Sequence, residues 1–319
     1  MQPLIILTGP TAVGKTALSI KLAQSVGGEI ISADSMQVYR NMDIGTAKIK
    51  EEERQGIPHH LIDVLEPTDE FNVVIFQRMA KDCIREITNR GKIPIVTGGT
   101  GFYIQALLYD INFQYEDETA DNDHEYRWEL GKLAEEKGTE YLHSLLRDVD
   151  ADAAEAIHPN NLKRIIRALE YFKQTGKPIS GHNEAERKRE SPYNFTYFVL
   201  NDNREKIYAN INRRVDEMIR AGLVSEVSRL RDMGLTRDLV SMQGLGYKEV
   251  FAYLEGESTL DEVIRLIKRD TRRFAKRQLT WFGRERDVIW LNKEEYEGDD
   301  VLLDDMLRVY GRKCFSQVH

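Results

Sequence analysis

The sequence lacks the features that mark several broad classes of protein. Its 319 residues include only two cysteines, Cys83 and Cys314, which are too few for a disulfide framework or a four-cysteine zinc site. The apolar stretch near its start, Leu4 to Leu7, is too short for a signal peptide, and no apolar run approaches the roughly 20 residues that span a bilayer. We therefore expect a protein of the reducing cytoplasm that has no membrane-spanning segment.

The chain also has no excess of positive charge. It contains 45 basic and 53 acidic residues, and its formal net charge of −8 argues against a general nucleic-acid-binding protein. The basic residues are unevenly distributed, however, because nine of them lie between Arg265 and Arg286 together with only two acidic residues. They recur there at helical spacing, so one face of the predicted helix is basic and suited to binding phosphates.

The first hundred residues show a regular alternation of short apolar strands with amphipathic helices. Such an alternation is typical of a parallel sheet that is covered by helices on both faces. The predicted strands are Leu4–Leu7, Glu29–Ala33, His60–Leu65, Ile93–Val96, Asn194–Leu200 and Val288–Leu291. The predicted helices of the same fold are Lys15–Gln24, Val73–Asn89, Arg204–Met233, Tyr247–Tyr253 and Leu260–Trp281. The sequence therefore predicts an α/β fold.

The middle of the chain has a different pattern. From about Tyr115 to Pro192 the apolar residues follow helical spacing and there is almost no strand signal. One of the apolar stripes consists of Leu162, Ile165, Ile166, Leu169 and Phe172. We expect a small helical domain that is inserted into the α/β core. The predicted domains are residues 1–114 for the first part of the core, 115–193 for the insertion, and 194–319 for the rest of the core.

A glycine-rich motif follows the first predicted strand and fits the phosphate-loop pattern GxxxxGK(S/T). The backbone N–H groups of such a loop cradle a di- or triphosphate at a helix N-terminus, its lysine reaches the terminal phosphate, and its last hydroxyl is a ligand of Mg²⁺. The loop consists of Gly9, Pro10, Thr11, Ala12, Val13, Gly14, Lys15 and Thr16. The motif therefore predicts a phosphate site with Thr16 as its metal ligand.

A phosphate loop does not by itself identify a nucleotide as the ligand. A P-loop NTPase normally has a second acidic residue on Mg²⁺ at the end of an apolar strand. The strand Ile93–Val96 is followed by Thr97 and two glycines, whereas Asp34 follows the strand Glu29–Ala33. From the pattern alone, Asp34 is a Mg²⁺ partner, a general base or a cap of the next turn, and these three interpretations remain open.

Six segments that occur in one order give the sequence a specific resemblance. They are GPTAVGKT, ISADSMQVYRNMDIGTAK, IPIVTGGTGFYIQALL, IHPNNLKRIIRALE, MQGLGYKE and RRFAKRQLTWF. Together they resemble the tRNA dimethylallyltransferase family over nearly the whole chain, from Leu4 to about Leu291. DIGTAK, GGTGFY and KRQLTWF are specific in combination, and none of them belongs to the common nucleotide kinases.

The resemblance implies a reaction and a role for the phosphate loop. The reaction transfers the dimethylallyl group of dimethylallyl diphosphate to N6 of an adenine beside the tRNA anticodon. The loop would hold the diphosphate leaving group, with Mg²⁺ on Thr16 and the charge of Lys15 stabilising it. The family also implies that Asp34 is the general base for N6, that Thr11 lies near the reacting centre, and that Arg214 binds the diphosphate from the opposite side.

The same resemblance implies contacts to the anticodon stem-loop of tRNA. Residues after the second strand would contact the target base and its neighbours, Thr100 either contacts tRNA or only caps a helix, and the helical insertion would face the RNA. The expected tRNA-binding residues are Asp34, Ser35, Met36, Gln37, Thr100, Arg127, Lys163, Arg164, Ile165, Ile166 and Arg167, and the basic helix adds Arg272 and Arg273. We expect a monomer.

Two other functions remain as alternatives at this stage. A P-loop small-molecule kinase would bind and turn over ATP, and it would usually have an arginine-rich lid. An RNA-binding ATPase module would hydrolyse a nucleotide in an RNA-dependent way, but it leaves DIGTAK and GGTGFY unexplained. Transfer from dimethylallyl diphosphate to tRNA, compared with turnover of ATP, distinguishes the three.

Overall fold

The computed structural model describes residues 1–113 and 120–315 and divides the chain into two compact units. The first unit comprises residues 1–107 together with the chain from Pro192 onward, and the second comprises Leu108–Ser191. The second unit is thus formed by a segment within the sequence of the first. The predicted start of the insertion, residue 115, lies outside the described residues.

A six-stranded parallel sheet forms the centre of the first unit. Its strands are β1 (Gln2–Thr8), β2 (Gly28–Ala33), β3 (His59–His60), β4 (Ile93–Gly98), β5 (Tyr193–Asn201) and β6 (Val288–Asn292). They lie side by side in the order β3-β2-β4-β1-β5-β6, and every pair among them is parallel. The predicted α/β class with a parallel sheet is confirmed.

Helices connect the strands and make up the second unit. In chain order, those of the described residues are α1 (Lys15–Val26), α2 (Val73–Asn89), α3 (Gly101–Leu108), α4 (Ala120–Lys137), α5 (Thr139–Val149), α6 (Ala151–Ala156), α7 (Leu162–Thr175), α8 (Ile179–Arg187), α9 (Arg204–Arg220), α10 (Leu223–Asp232), α11 (Tyr247–Leu254), α12 (Leu260–Phe282) and α13 (Asp299–Phe315). None of these helices is both long and apolar enough to cross a membrane.

Continuous apolar strands explain why the sheet is central. Leu4–Leu7 of β1 are fully buried, as expected for a strand that is covered on both faces. Helix α2 has its predicted bounds because its apolar residues recur at helical spacing and Asn72 caps its start. The Asn72 side chain accepts hydrogen bonds from the N–H groups of Val74 and Ile75, each at 3.0 Å.

Four elements of this unit differ from the predictions, and one of them is helix α3, which was not predicted. The single helix expected over 204–233 is divided into α9 and α10, because Gly222 adopts a left-handed conformation with φ 101°. The third strand is only two residues long, since the chain turns at Leu61 and Asp63, both with positive φ. Helix α13 was not predicted, although its buried Leu302 and Met306 belong to the same core as the sheet.

The second unit is helical, in agreement with the pattern of its sequence. Helices α4 to α8 surround a separate hydrophobic core that includes Leu130, Leu142, Leu146, Ile165 and Leu169. The side chain of Asp150 stabilises two turns, because one oxygen accepts from the Ala153 N–H at 3.0 Å and the other from the Ser180 N–H at 2.9 Å.

Candidate active site

The phosphate loop connects the end of β1 to the start of α1. Three of its residues have positive φ: Gly9 at 147°, Ala12 at 64° and Gly14 at 103°. Gly9 also lies close to β5, the neighbouring strand in the sheet, because a Cβ on Gly9 would be 2.2 Å from the carbonyl oxygen of Leu200. The loop therefore needs glycine at its first position and holds Ala12 in a conformation that L residues rarely adopt.

Lys15 lies inside the curve of this loop. Its Nζ donates hydrogen bonds to the carbonyl oxygens of Gly9 at 2.9 Å and Pro10 at 2.8 Å. Burial, together with the nearby Arg214 guanidinium, lowers the pKa of Lys15 to about 7, and the Asp34 carboxylate acts in the opposite direction. The next side chain, Thr16, is exposed at the first turn of α1.

Arg214 and Asp34 complete a charged group with Lys15. Arg214, on α9, approaches the Thr11 hydroxyl with an Nη1–Oγ1 distance of 3.4 Å. Burial lowers the pKa of Arg214, and the carboxylates of Glu217 and Asp34 oppose that shift. The structure thus brings together Asp34, Thr11 and Arg214, to which the resemblance assigns catalytic roles, with Lys15 beside them.

Asp34 also shapes the turn that follows β2. Its Oδ1 accepts hydrogen bonds from the N–H groups of Met36 at 2.8 Å and Gln37 at 3.3 Å. The cap interpretation of Asp34 is therefore correct as a description of one oxygen. It does not exclude a chemical role, because a carboxylate has a second oxygen and further lone pairs.

The GGTG segment at the end of β4 fits closely against two other elements. A Cβ on Gly98 would lie 2.3 Å from the Ala33 carbonyl oxygen, and a Cβ on Gly101 would lie 2.2 Å from the Trp281 ring. Thr100 is partly buried, and its carbonyl oxygen accepts from the N–H groups of Tyr103 and Ile104 at the start of α3. The segment carries Thr100 to the end of the sheet where Asp34 also lies.

A buried glutamate holds the DIGTAK loop, and sequence reasoning gave that residue no role. Glu226, on α10, is 1% exposed and accepts hydrogen bonds from the N–H groups of Asp43, Ile44 and Gly45 at 2.8–3.1 Å. The Tyr247 hydroxyl donates to the same carboxylate at 2.7 Å. A single acidic residue near a helix start gives no signal of this kind in the sequence.

The DIGTAK loop in turn contacts a residue that the sequence assigned to tRNA. The Gln37 side chain donates to the Thr46 carbonyl oxygen at 3.2 Å and accepts from the Ser32 hydroxyl at 3.2 Å. Its amide is therefore held in one orientation next to the Asp34 turn. Ser35 and Met36 are partly buried in the same turn.

Gln278 is a second functional candidate that sequence reasoning missed. It lies in the KRQLTWF segment of α12, is 5% exposed, and connects the phosphate loop to Gly99 through its side-chain amide. The only signal available was an uncharged polar residue within a basic helix, which does not distinguish a buried glutamine from an exposed one.

The predicted basic face of α12 is partly engaged by protein groups. Arg272 donates to the Asn212 side chain at 2.6 Å and is partly buried, so it has a structural contact, and its contact with tRNA stays a prediction. Arg273 is 62% exposed and forms an ion pair with Asp270 at 3.2 Å. Lys276 is exposed. The exposed part of this face is therefore narrower than the spacing alone suggests.

The second unit buries part of the predicted tRNA stretch. Ile165 and Ile166 are 0% and 8% exposed and their side chains belong to the core of the unit, so the contact of these two residues with tRNA stays a prediction. The physical reason for their burial is the helical period, which turns these two apolar residues inward. Lys163 and Arg164 are exposed and Arg167 is partly exposed.

Arg127 has a structural partner in the same unit. Its guanidinium donates to both carboxylate oxygens of Glu170 at 2.7 and 2.9 Å, and Glu170 is only 1% exposed. A buried carboxylate needs such a partner, so this pairing accounts for Arg127 without any RNA. Its predicted contact to tRNA therefore competes with an ion pair.

Comparisons with known proteins agree with the fold and identify the family. The model of the IPP transferase family matches residues 37–285, and the model of the isopentenyl transferases matches residues 2–66. These matches define the class as prenyl-transferring enzymes. The chain is 62% identical over 313 residues to a tRNA dimethylallyltransferase of Lachnoclostridium phytofermentans, covering 98% of this chain and 99% of that one. It belongs to the tRNA dimethylallyltransferase family, as the resemblance implied.

Further relatives have the same name or a related one. A tRNA dimethylallyltransferase of Acetivibrio thermocellus is 50% identical over 306 residues, which is 96% of each chain. The crystal structure of the full-length tRNA isopentenylpyrophosphate transferase from Bacillus halodurans is 44% identical, with a TM-score of 0.75 and full coverage of both chains. A eukaryotic dimethylallyltransferase acting on tRNA is 29% identical over 92% of this chain and 74% of that one, with a TM-score of 0.76.

Proposed function

We propose that this protein transfers the dimethylallyl group of dimethylallyl diphosphate to N6 of an adenine adjacent to the anticodon of tRNA, and that it works as a cytoplasmic monomer. The observation that carries this proposal is the convergence of Lys15, Arg214 and Asp34 at the phosphate loop. Two cations suit a diphosphate, and a carboxylate beside them suits an acceptor that must lose a proton. The names of the relatives supply the tRNA and the prenyl group.

The chemistry assigns one task to each charged group. The bond between the dimethylallyl carbon and the diphosphate oxygen breaks, and its electron pair stays on that oxygen. The N6 lone pair forms the new C–N bond, and the N6 proton goes to Asp34. Because the N6 lone pair is delocalised into the ring, a positioned base contributes about 10²–10⁴-fold. Lys15 and Arg214 stabilise the negative charge that grows on the leaving diphosphate.

Mg²⁺ fits the donor set at the start of α1. The Thr16 hydroxyl is exposed there, beside the loop that would hold the diphosphate, and Mg²⁺ prefers oxygen ligands that include those of phosphates. Thr16 would therefore hold the ion. When bound, Mg²⁺ would neutralise charge on the diphosphate and so assist its departure.

The tRNA contacts follow from exposure and charge. Thr100 and the turn of residues 35–37 lie near Asp34 and would contact the target base and its neighbours. Arg273 and Lys276 would contact phosphates of the anticodon stem, because both are exposed on α12. In the second unit, Lys163, Arg164 and Arg167 are the residues of the predicted stretch that lie at the surface.

A transfer assay tests this function. The protein is incubated with Mg²⁺, labelled dimethylallyl diphosphate and an unmodified anticodon stem-loop, and label in the RNA is measured against the Lys15→Met variant. We expect transfer by the wild-type protein and a loss of two orders of magnitude or more in the variant. Turnover of ATP without transfer of label would instead support the kinase alternative.

A further inference from the structure

The side chain of Gln278 makes two hydrogen bonds that join three elements. Its Oε1 accepts from the Thr11 backbone N–H at 2.9 Å, and its Nε2 donates to the Gly99 carbonyl oxygen at 2.9 Å. A backbone N–H can only donate and a carbonyl can only accept, so these partners fix the orientation of the amide. Helix α12, the phosphate loop and the end of β4 thus meet at one buried side chain.

The glycine that faces Gln278 leaves room for this amide. A Cβ on Gly99 would lie 2.1 Å from Gln278 Nε2, which is closer than non-bonded atoms approach. One turn further along α12, Trp281 fits against Gly101 in the same way. The GGTG and KRQLTWF segments are therefore complementary surfaces, and the position of Gln278 is set by packing on both sides.

The Thr11 peptide needs such an external support. It lies between Gly9 and Ala12, both of which have positive φ, and a loop with this backbone persists only where its surroundings hold it. The other side of Thr11 faces Arg214, whose Nη1 is 3.4 Å from the Thr11 hydroxyl. Rotation of this peptide would therefore move the hydroxyl away from the guanidinium.

Helix α12 also holds the helix that carries Arg214. Arg272 donates to Asn212 at 2.6 Å and Lys268 pairs with Asp216 at 2.6 Å, so these two contacts fall on either side of Arg214 along α9. The same helix thus fixes the Thr11 peptide through Gln278 and the Arg214 backbone through α9. Both sides of the diphosphate site depend on its position.

We propose that Gln278 is a positioning residue for the transfer reaction. It holds the Thr11 peptide in the orientation in which the Thr11 hydroxyl and the Arg214 guanidinium both face the diphosphate site. In this role Gln278 acts through its hydrogen bonds to Thr11 and Gly99. The proposal rests on the proposed function, and it assigns to this glutamine an effect on turnover that is larger than its effect on tRNA binding.

Two substitutions separate the hydrogen bonds from the packing. Gln278→Met keeps the length of the side chain and removes both bonds. Gln278→Glu, when ionised, keeps the acceptor for Thr11 and loses the donor for Gly99. When protonated, the carboxylic acid has one donor and one acceptor and can restore both bonds. Burial beside a carbonyl oxygen favours protonation, and the Lys15 and Arg214 cations at the loop oppose it, so the protonated form becomes more populated as the pH falls.

The experiment measures kcat and the KM for tRNA across a range of pH. At each pH, the kcat of the variant is divided by the kcat of the wild type. We expect kcat of Gln278→Met to fall roughly 10- to 100-fold at every pH, with the KM for tRNA within about twofold. For Gln278→Glu, the ratio of its kcat to that of the wild type should be as low at about pH 8 as the ratio for Gln278→Met. It should rise several-fold towards about pH 6. A purely structural role would not produce this recovery.

A matched control and a second probe keep the test decisive. Gln77 is also a buried glutamine, 8% exposed, and donates to the Ala106 carbonyl oxygen at 2.8 Å away from the phosphate loop. Gln77→Met should lower the melting temperature and leave kcat unchanged. Calorimetry with inorganic pyrophosphate should show several-fold weaker binding to Gln278→Met than to Gln77→Met, whether or not the wild type transfers a prenyl group.

The outcomes are distinguishable. Unchanged kcat in Gln278→Met, or a Gln278→Glu ratio that does not vary with pH, would overturn the proposal about Gln278 while leaving the proposed function intact. A wild-type protein that transfers no prenyl group would overturn the proposed function. The pyrophosphate comparison would then still decide whether Gln278 sets the geometry of the loop.

Discussion

Two segments leave the same end of the sheet and are held in different ways. The phosphate loop follows β1, and its shape comes mainly from its own residues, since three positive φ values fall within six positions, while Gln278 of α12 supports it at one peptide. The segment 34–48 follows β2 and depends on distant partners. Glu226 holds its backbone from α10, and Lys48, 4% exposed, donates to the Tyr39 carbonyl oxygen and to two carboxylates.

The two halves of the reaction are therefore supported differently. The loop that would hold the diphosphate is a local structure, which is fixed by glycines and by Gln278. The segment that carries Asp34, the proposed base, is fixed by a carboxylate about 180 residues away in the sequence. Substitutions near the phosphate loop should act mainly on the binding of the prenyl donor. Substitutions at the distant anchors should act on the stability of the protein and on the positioning of the tRNA acceptor.

The largest effect is expected at Asp34, where two variants separate its two roles. Asp34→Asn keeps an oxygen that can accept from the Met36 and Gln37 N–H groups, so the turn is preserved, whereas Asp34→Ala removes it. If Asp34 is the base, both variants should lose two or more orders of magnitude in single-turnover transfer, with little change in tRNA affinity. Near-normal transfer by Asp34→Asn would show that the turn alone matters.

The next effect tests the distant anchor. Glu226→Gln replaces an oxygen that accepts backbone N–H groups with an amide NH₂ that cannot, so we expect a loss of about 2–3 kcal/mol in the free energy of unfolding. Tyr247→Phe is the matched control. It removes one donor from the same carboxylate and should cost about 1 kcal/mol. Urea denaturation followed by circular dichroism measures both, and equal losses would contradict the idea that the backbone contacts dominate.

The phosphate loop should respond to pH through Lys15. Its pKa is lowered to about 7 in the free protein, mainly by burial, so the side chain is charged below this pH and neutral above it. An anion binds more tightly to the charged form. The affinity for inorganic pyrophosphate should therefore fall as the pH rises above 7, by up to about tenfold per pH unit, with uptake of a proton on binding.

The control for this measurement is Lys15→Arg. An arginine stays charged throughout, and the pyrophosphate itself titrates equally in both experiments, so the ratio of the two affinities isolates Lys15. Calorimetry in two buffers with different ionisation enthalpies gives the proton uptake directly. A ratio that is constant between pH 6 and pH 9 would mean that Lys15 remains charged in the free loop.

Much of the fold was predictable because its signals are local. Strand and helix positions follow from apolar periodicity, and helix α2 has its predicted bounds because Asn72 and the apolar stripe act together. In the second unit, the periodicity of Ile165 and Ile166 predicted burial, whereas the resemblance treated the whole stretch as an RNA contact. The structure confirms the burial, which the periodicity predicts because it reports on packing in this chain, and the contact with RNA stays a prediction.

The parts that sequence reasoning missed depend on contacts over long distances. Glu226 and Gln278 are a single acid and a single amide on amphipathic helices, and nothing in their neighbours distinguishes them from surface residues. The backbone N–H groups that donate to them lie 181–183 residues away for Glu226 and 267 residues away for Gln278. Only the fold brings a backbone N–H to each of them, so motif spacing carries no trace of these contacts.

The smallest effect tests whether the phosphate loop stores backbone strain. Ala12 has φ 64°, a conformation that is strained for alanine and unstrained for glycine. Ala12→Gly should therefore raise the free energy of unfolding by about 0.5–1 kcal/mol, although glycine also gains entropy in the unfolded chain. Ala17, which is exposed in α1, provides the matched control, because the same substitution within a helix should lower stability by about 0.5–1 kcal/mol. Urea denaturation of both variants should give opposite signs for one chemical change made five residues apart. Two losses of equal size would mean that the loop relaxes around Ala12, and its shape would then be set by external contacts, as in the segment 34–48.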